Sequence, residues 1–133
     1  MLHARVVTEK IDAIRSAENA LSMRFPEAYA LWLRDSEGFE ADLGGCYLSL
    51  YAVGELVERN RAYEVAPFVP GLILIGTNGA GEGIGLDTRG QGAPVVMVNL
   101  TSLRWEEAIY QAESFGQFLK ERLRGHPLRW EVT

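Results

Sequence analysis

Few residues in this chain could do covalent chemistry, and their spacing argues against it. There is one cysteine, Cys46, and two histidines, His3 and His126. Cys46 sits in the apolar run Cys46-Tyr-Leu-Ser-Leu, where a lone thiol behaves as a small core side chain. His126 lies between Gly125 and Pro127, an exposed helix-end position, and His3 lies in an N-terminus expected to fray. No Gly-x-Ser-x-Gly elbow is present, and no Asp-x-Asp-x-Asp-Gly spacing for calcium. A single cysteine excludes a disulfide framework and any cysteine-based zinc cluster. No cofactor or metal is therefore expected.

The glycine-rich segment Gly76-Thr-Asn-Gly-Ala-Gly-Glu-Gly-Ile-Gly85 fails both nucleotide patterns. A phosphate loop needs a lysine followed by Ser or Thr, and no lysine lies between Lys10 and Lys120. The dinucleotide fingerprint needs glycines at 1, 3 and 6; from Gly79 the sixth residue is Ile84, and from Gly81 it is Leu86. The segment reads as a strand–turn–strand connection, and Glu82 would repel a phosphate. Asp87 ends an apolar stretch before a turn, where a carboxylate commonly accepts backbone N–H groups. The acidic neighbours Glu106 and Glu107 point apart and read as solvated.

What remains is surface charge. The chain has 13 basic and 18 acidic residues, a net of −5. That balance disfavours a nucleic-acid binder, which needs a basic stripe to displace counterions. Residues 35–64 hold seven acids (Asp35, Glu37, Glu40, Asp42, Glu55, Glu58, Glu64) against Arg59 and Arg61, so this window carries −5 by itself. It reads either as a solvated face or as a docking surface for a basic partner. Asp35, Glu37, Glu40 and Asp42, expected in a loop, are the candidate partner-binding residues. Trp105 and Trp130 are candidates for a half-exposed interface, whereas Trp32 belongs with the core.

The elements that must carry these residues follow from periodicity. A helix over about residues 8–21 has Val7, Ile11, Ile14, Glu18 and Leu21 at helical spacing, with Thr8 as its cap. A second starts at Pro26, places Tyr29, Trp32 and Leu33 on one face, and stops by Gly38. A strand over 44–50 leads to a short helix over 53–61, with Leu56, Val57 and Asn60 turned inward or sideways. Leu72-Ile-Leu-Ile, Ile84-Gly-Leu-Asp and Pro94-Val-Val-Met-Val-Asn read as strands, the last two as a hairpin. Ser114-Phe-Gly-Gln117 is a capping box opening a last helix. Phe115, Phe118, Leu119 and Arg122 share its face, with Leu123 extending the stripe. This order is α+β, one domain over 1–133 with helices on a mixed, largely antiparallel sheet. The N-terminal stretch has no signal-peptide h-region, and the most apolar stretch, 65–76, is broken by Pro67 and Pro70. With one free thiol, a reducing cytoplasm is the simplest setting.

Taken in order, these pieces resemble the SUKH superfamily, the domain of yeast Knr-type cell-wall synthesis regulators and many bacterial relatives. The matching residues are Leu21-Ser-Met-Arg-Phe-Pro-Glu-Ala-Tyr-Ala-Leu-Trp-Leu, Leu48-Ser-Leu-Tyr with Glu55-Leu-Val-Glu-Arg-Asn, the run Pro70 to Asp87, and Ala112-Glu-Ser-Phe-Gly-Gln-Phe-Leu. They span roughly residues 8–124. The resemblance implies helices packed on a sheet and no catalysis. It implies a protein partner, with bacterial members taken to be immunity proteins that neutralise toxins, many of them nucleases. A basic toxin fits the acidic window. The alternative is a general regulatory interaction domain with no toxin partner; an enzyme is the least supported reading, because no convergent titratable set is visible. The motif transfers no contact residues, and Gly116 departs from good helix chemistry, which suggests a close packing contact.

Overall fold

The structure, a computed structural model, describes residues 2–131, with side chains from Ala4 onward. The expectation for His3 concerns a side chain outside the described ones, and residues 1, 132 and 133 likewise lie outside. Five helices, α1 (Leu2–Leu21), α2 (Glu27–Asp35), α3 (Val53–Ala62), α4 (Val65–Phe68) and α5 (Phe115–Leu123), accompany six strands. The strands are β1 (Phe39–Asp42), β2 (Tyr47–Leu50), β3 (Leu72–Thr77), β4 (Glu82–Asp87), β5 (Val95–Asn99) and β6 (Ile109–Ala112). They form one sheet in the order β1-β2-β3-β4-β5-β6, each strand beside its sequence neighbour. The fold is α+β, as the periodicities imply. Every pairing is antiparallel, so the expected mixed component is absent from the described sheet.

α1 starts earlier than its periodicity indicated. Thr8 is no cap: inside the helix its Oγ1 donates to the Ala4 carbonyl at 2.9 Å, the back-bond that a mid-helix threonine can make. Ile14 and Ala17 form the buried part of the stripe, while Ile11 is exposed. Glu18 sits on the same side as a polar exception because its carboxylate accepts the Phe25 N–H at 2.7 Å, closing the α1–α2 connection. Pro26 precedes α2 as its N-cap at φ −55°. Tyr29 and Leu33 are then fully buried. The Tyr29 ring meets Phe25 edge-on at 5.7 Å and Phe115 at 5.1 Å, and stacks on Trp32 at 6.2 Å. This aromatic group packs α2 on α5. α5 begins where expected, with Ser114 Oγ accepting the Gln117 N–H at 3.2 Å. Phe115, Phe118 and Arg122 are buried along it, but Leu123 is 56% exposed and does not extend the stripe. Nothing approaches within 4 Å of a Cβ placed on Gly116, so that glycine marks no tight packing.

The central strands are buried on both faces. Register places Ile73, Leu86 and Val95 on one face and Leu74, Gly85 and Val96 on the other. Gly85 makes room for a neighbour: a Cβ there would lie 2.6 Å from Leu72 Cδ1. Gly76 does so for backbone, since its Cβ would come 2.2 Å from the Ser49 carbonyl oxygen where β2 crosses β3.

β2 pairs with β3 only over Ser49–Thr77 and Leu50–Gly76. The Tyr51 N–H still donates to the Ile75 carbonyl at 2.9 Å, and then the chain turns into α3. The Leu74 backbone loses its strand partner there. Asn60, buried on α3, supplies one: its Oδ1 accepts the Leu74 N–H and its Nδ2 donates to the Leu74 carbonyl, both at 2.9 Å. Nδ2 also donates to the Leu56 carbonyl of its own helix at 2.9 Å. At the other end of the sheet Gln111, fully buried, does the same for residues 128–130. Its Oε1 accepts the Arg129 N–H at 2.9 Å and its Nε2 donates to the Arg129 carbonyl at 2.8 Å. Four elements escaped the sequence patterns: β1, the single-turn α4, the 3-10 turn Trp105–Glu107 and β6 after it.

Two stability outcomes follow. Asn60→Leu leaves both Leu74 backbone groups buried without partners and should cost about 2–6 kcal/mol in urea unfolding, at about 1–3 kcal/mol per orphaned group. The Tyr29 hydroxyl is buried with no partner among the described residues, and burial raises its pKa well above the ordinary tyrosine value. Tyr29→Phe should therefore be neutral or stabilising by about 1 kcal/mol in the same assay, because no hydrogen bond is lost.

Candidate functional site

The residues that could have done chemistry are used structurally. The glycine-rich segment is the β3–β4 hairpin, as expected. Its turn consumes its own donors: Asn78 Oδ1 accepts the N–H groups of Ala80 and Glu82 at 2.9 and 3.2 Å, and Thr77 Oγ1 accepts that of Gly79 at 3.0 Å. These N–H groups are not presented to an anion. The Glu82 carboxylate is held by Asn78 Nδ2 at 2.9 Å. Cys46 is half-buried and packs on the core just before β2. His126 is exposed past the end of α5. Among the described residues no group of three His, Cys, Asp or Glu side chains is placed to hold a metal. No helix among them is long and apolar enough to cross a membrane.

Asp87 ends β4 and accepts the Arg89 N–H at 3.0 Å, the turn role expected of it. It also binds the Arg89 guanidinium through Nε and Nη2, both at 3.1 Å. Arg89 lies over the Trp105 ring, 3.4 Å from its centroid, and the Trp105 indole N–H donates to the Pro70 carbonyl at 3.0 Å. Trp105, half-buried, therefore ties two loops together. Burial alone would raise the Asp87 pKa; hydrogen bonds from the Arg89 side chain and backbone outweigh it and leave it lowered.

The four candidate acids do not share a loop. Asp35 is the last residue of α2 and pairs with Arg34 at 2.9 Å. Glu37, 82% exposed, pairs at 2.7 Å with Lys10 of α1, whose Nζ also donates to the Ser36 carbonyl at 2.6 Å. Glu40 and Asp42 are strand residues on β1. The hidden strand is explained by the turn that follows it. Leu43 and Cys46 exchange both backbone hydrogen bonds, at 2.8 and 3.3 Å, around Gly44 at φ +66° and Gly45 at φ +85°. Two positive φ angles are what a type I′ hairpin requires, and Gly-Gly supplies them. Asp42 Oδ1 accepts the Gly45 N–H at 2.8 Å and secures that turn.

Alternation then divides the β1–β2 hairpin. Leu48 and Leu50 are buried, with Phe39 packed partly against the core. Glu40, Asp42, Tyr47 and Ser49 lie on the opposite face by register. Partial desolvation, and then the Glu40 carboxylate accepting its hydrogen bond, hold the Tyr47 hydroxyl above its ordinary pKa. Glu37 and Glu40 line a hollow of about 280 Å³ with Gly38, Phe39, Ser49, Leu50 and Glu55. Asp35 and Asp42 stand outside it. Glu55, not among the four, closes the hollow because its carboxylate turns back to the Ala52 N–H at 3.1 Å at the start of α3.

A second acidic hollow, about 310 Å³, was not legible as a unit. Glu82, Glu106 and Glu107 line it with Met97, Ile109 and Trp130, the last 57% exposed. Glu107 is held by the Ser102 hydroxyl. Trp130 is thus half-exposed, as expected; what brings it to the acids is strand order, which no local motif encodes.

Among known families, the model of the SMI1 / KNR4 family (SUKH-1) matches residues 9–121, most of the chain. No curated protein matches the chain.

The Asp87 pair predicts a pH signature. Because the folded-state pKa is lowered, its stabilisation is fully present above the unfolded carboxylate value of about 3.9 and is lost as pH falls through the folded value. Asp87→Asn should cost about 1–3 kcal/mol at pH 7, and the deficit should shrink as both proteins are unfolded at progressively lower pH below about 4. A deficit constant down to acid pH would contradict the charged pair.

Proposed function

The chain belongs to the SMI1/KNR4 (SUKH-1) family, and on that premise we propose that it is a non-catalytic protein-binding domain of the immunity type. It works in the cytoplasm as one domain, binding a cognate basic toxin, a nuclease by charge, and covering the surface that the toxin uses. The observation that carries this reading is the acidic outer face of the β1–β2 hairpin, where Glu40 and Asp42 stand exposed beside the hollow shared by Glu37 and Glu55. A nuclease must be basic to hold phosphates, so a carboxylate array on a rigid hairpin can meet the same surface and steer the encounter. The hairpin suits that task because its inner side chains are anchored in the core while its outer ones are not.

A second reading, a general regulatory interaction domain, is favoured by the ion pairs Lys10–Glu37 and Arg34–Asp35, which neutralise part of the acidic set within the molecule. The two readings diverge in salt. Tagged protein should capture from its own cells a basic protein that leaves in a high-salt step, is identified by mass spectrometry, and loses its activity when the protein is added back. The double change Glu37→Lys and Glu40→Lys should slow association with that partner about tenfold at low salt, with little change at high salt. A partner whose binding ignores both salt and charge reversal would contradict the electrostatic reading and leave the regulatory one.

A further inference from the structure

We propose that the free edge of β1 takes an extended basic segment of the partner as an added strand. This rests on the protein-binding reading of the acidic hairpin and specifies its mode.

The two edges of the sheet differ. On the β6 side, Gln111 holds residues 128–130 through two hydrogen bonds to Arg129. On the other side β1 pairs with β2 alone, and among the described residues no strand lies beyond it. Ladder geometry identifies the groups left over. Leu43 and Cys46 form a hydrogen-bonded pair, so by alternation Ala41–Leu48 and Phe39–Leu50 are the next such pairs. The N–H and C=O groups of Glu40 and Asp42 therefore face outward. The residues that present unpaired backbone are the ones that carry exposed carboxylates.

That coincidence selects the occupant. A second copy of β1 added antiparallel would set Glu40 and Asp42 against their own counterparts, and like charges directly opposite repel. A strand with Lys or Arg at every second position meets the same edge with opposite charge, and its backbone takes the outward hydrogen bonds. Charge on the edge thus blocks self-association, as edge strands require, and leaves it open to a basic chain.

The test uses the full chain and two synthetic peptides. The first is a nine-residue peptide alternating Lys and Thr with blocked ends. The second is its twin, methylated on every internal amide nitrogen, with the same charge but no capacity to pair as a strand. The unmodified peptide should slow hydrogen exchange at the Glu40 and Asp42 amides tenfold or more, read by NMR, and the methylated twin should not. Glu40→Gln should weaken binding yet keep that protection. Glu40→Pro, which removes an outward N–H and is tolerated at an edge, should abolish it. Equal binding of the two peptides, or binding without protection at Glu40 and Asp42, overturns strand addition and leaves the charge-based reading standing. Binding of neither peptide overturns it as well, and the salt-step capture then decides the protein-binding reading on its own.

Discussion

The Asn60 carboxamide bridging to the Leu74 backbone is the constraint on which the shape of the acidic end depends. β2 pairs with β1 over four positions but with β3 over only two. If β2 continued along β3, no α3 would start at Val53. Instead the chain leaves, and one side chain on α3 replaces the missing strand at Leu74. A buried amide pair left open would cost more than a typical surface contact returns, so the departure of β2 and the placement of Asn60 are coupled. The β1–β2 hairpin is consequently held to the sheet by its second strand at one end and by its apolar inner face, and its first strand remains an edge.

The charges of that hairpin divide according to what they do. Asp42 secures the Gly44-Gly45 turn, and Lys10 ties Glu37 to α1. These contacts fix where the acids stand. Exposed pairs contribute at most about 1 kcal/mol each, so their effect on folding is small beside the apolar face beneath them. Their larger consequence is that the carboxylates are arranged before any partner arrives, which lowers the ordering cost of binding. Arg89 shows the same use of charge inside the fold: paired with Asp87 and laid over Trp105, it fixes a loop.

Much of the fold was legible in the sequence, and each failure has a physical cause. The short apolar runs of β3, β4 and β5, bounded by Pro and Gly, and the Ser114 cap were local signals, and they located their elements. β1 was read as a loop because acids dominate Phe39-Glu-Ala-Asp, although alternation ahead of Gly44-Gly45 was a usable hairpin signal. Asn60 was placed on the correct helix, but its role depends on where β2 ends, which helical spacing does not contain. Gly116 was assigned a packing role from its poor helix propensity and Leu123 from its spacing; the first lies in open space and the second in solvent. The family likeness and the acidic window were both readable. The outward-facing backbone of Glu40 and Asp42 needed the register, and so did the meeting of Trp130 with Glu82.

The most direct measurement is amide hydrogen exchange across the full chain, free and bound to its captured partner. The account predicts slowed exchange concentrated at residues 39–42, with Glu40 and Asp42 most affected and the 128–130 side of the sheet unchanged. Protection centred on the Trp130 hollow or on α1, with residues 39–42 exchanging as in the free protein, would contradict it.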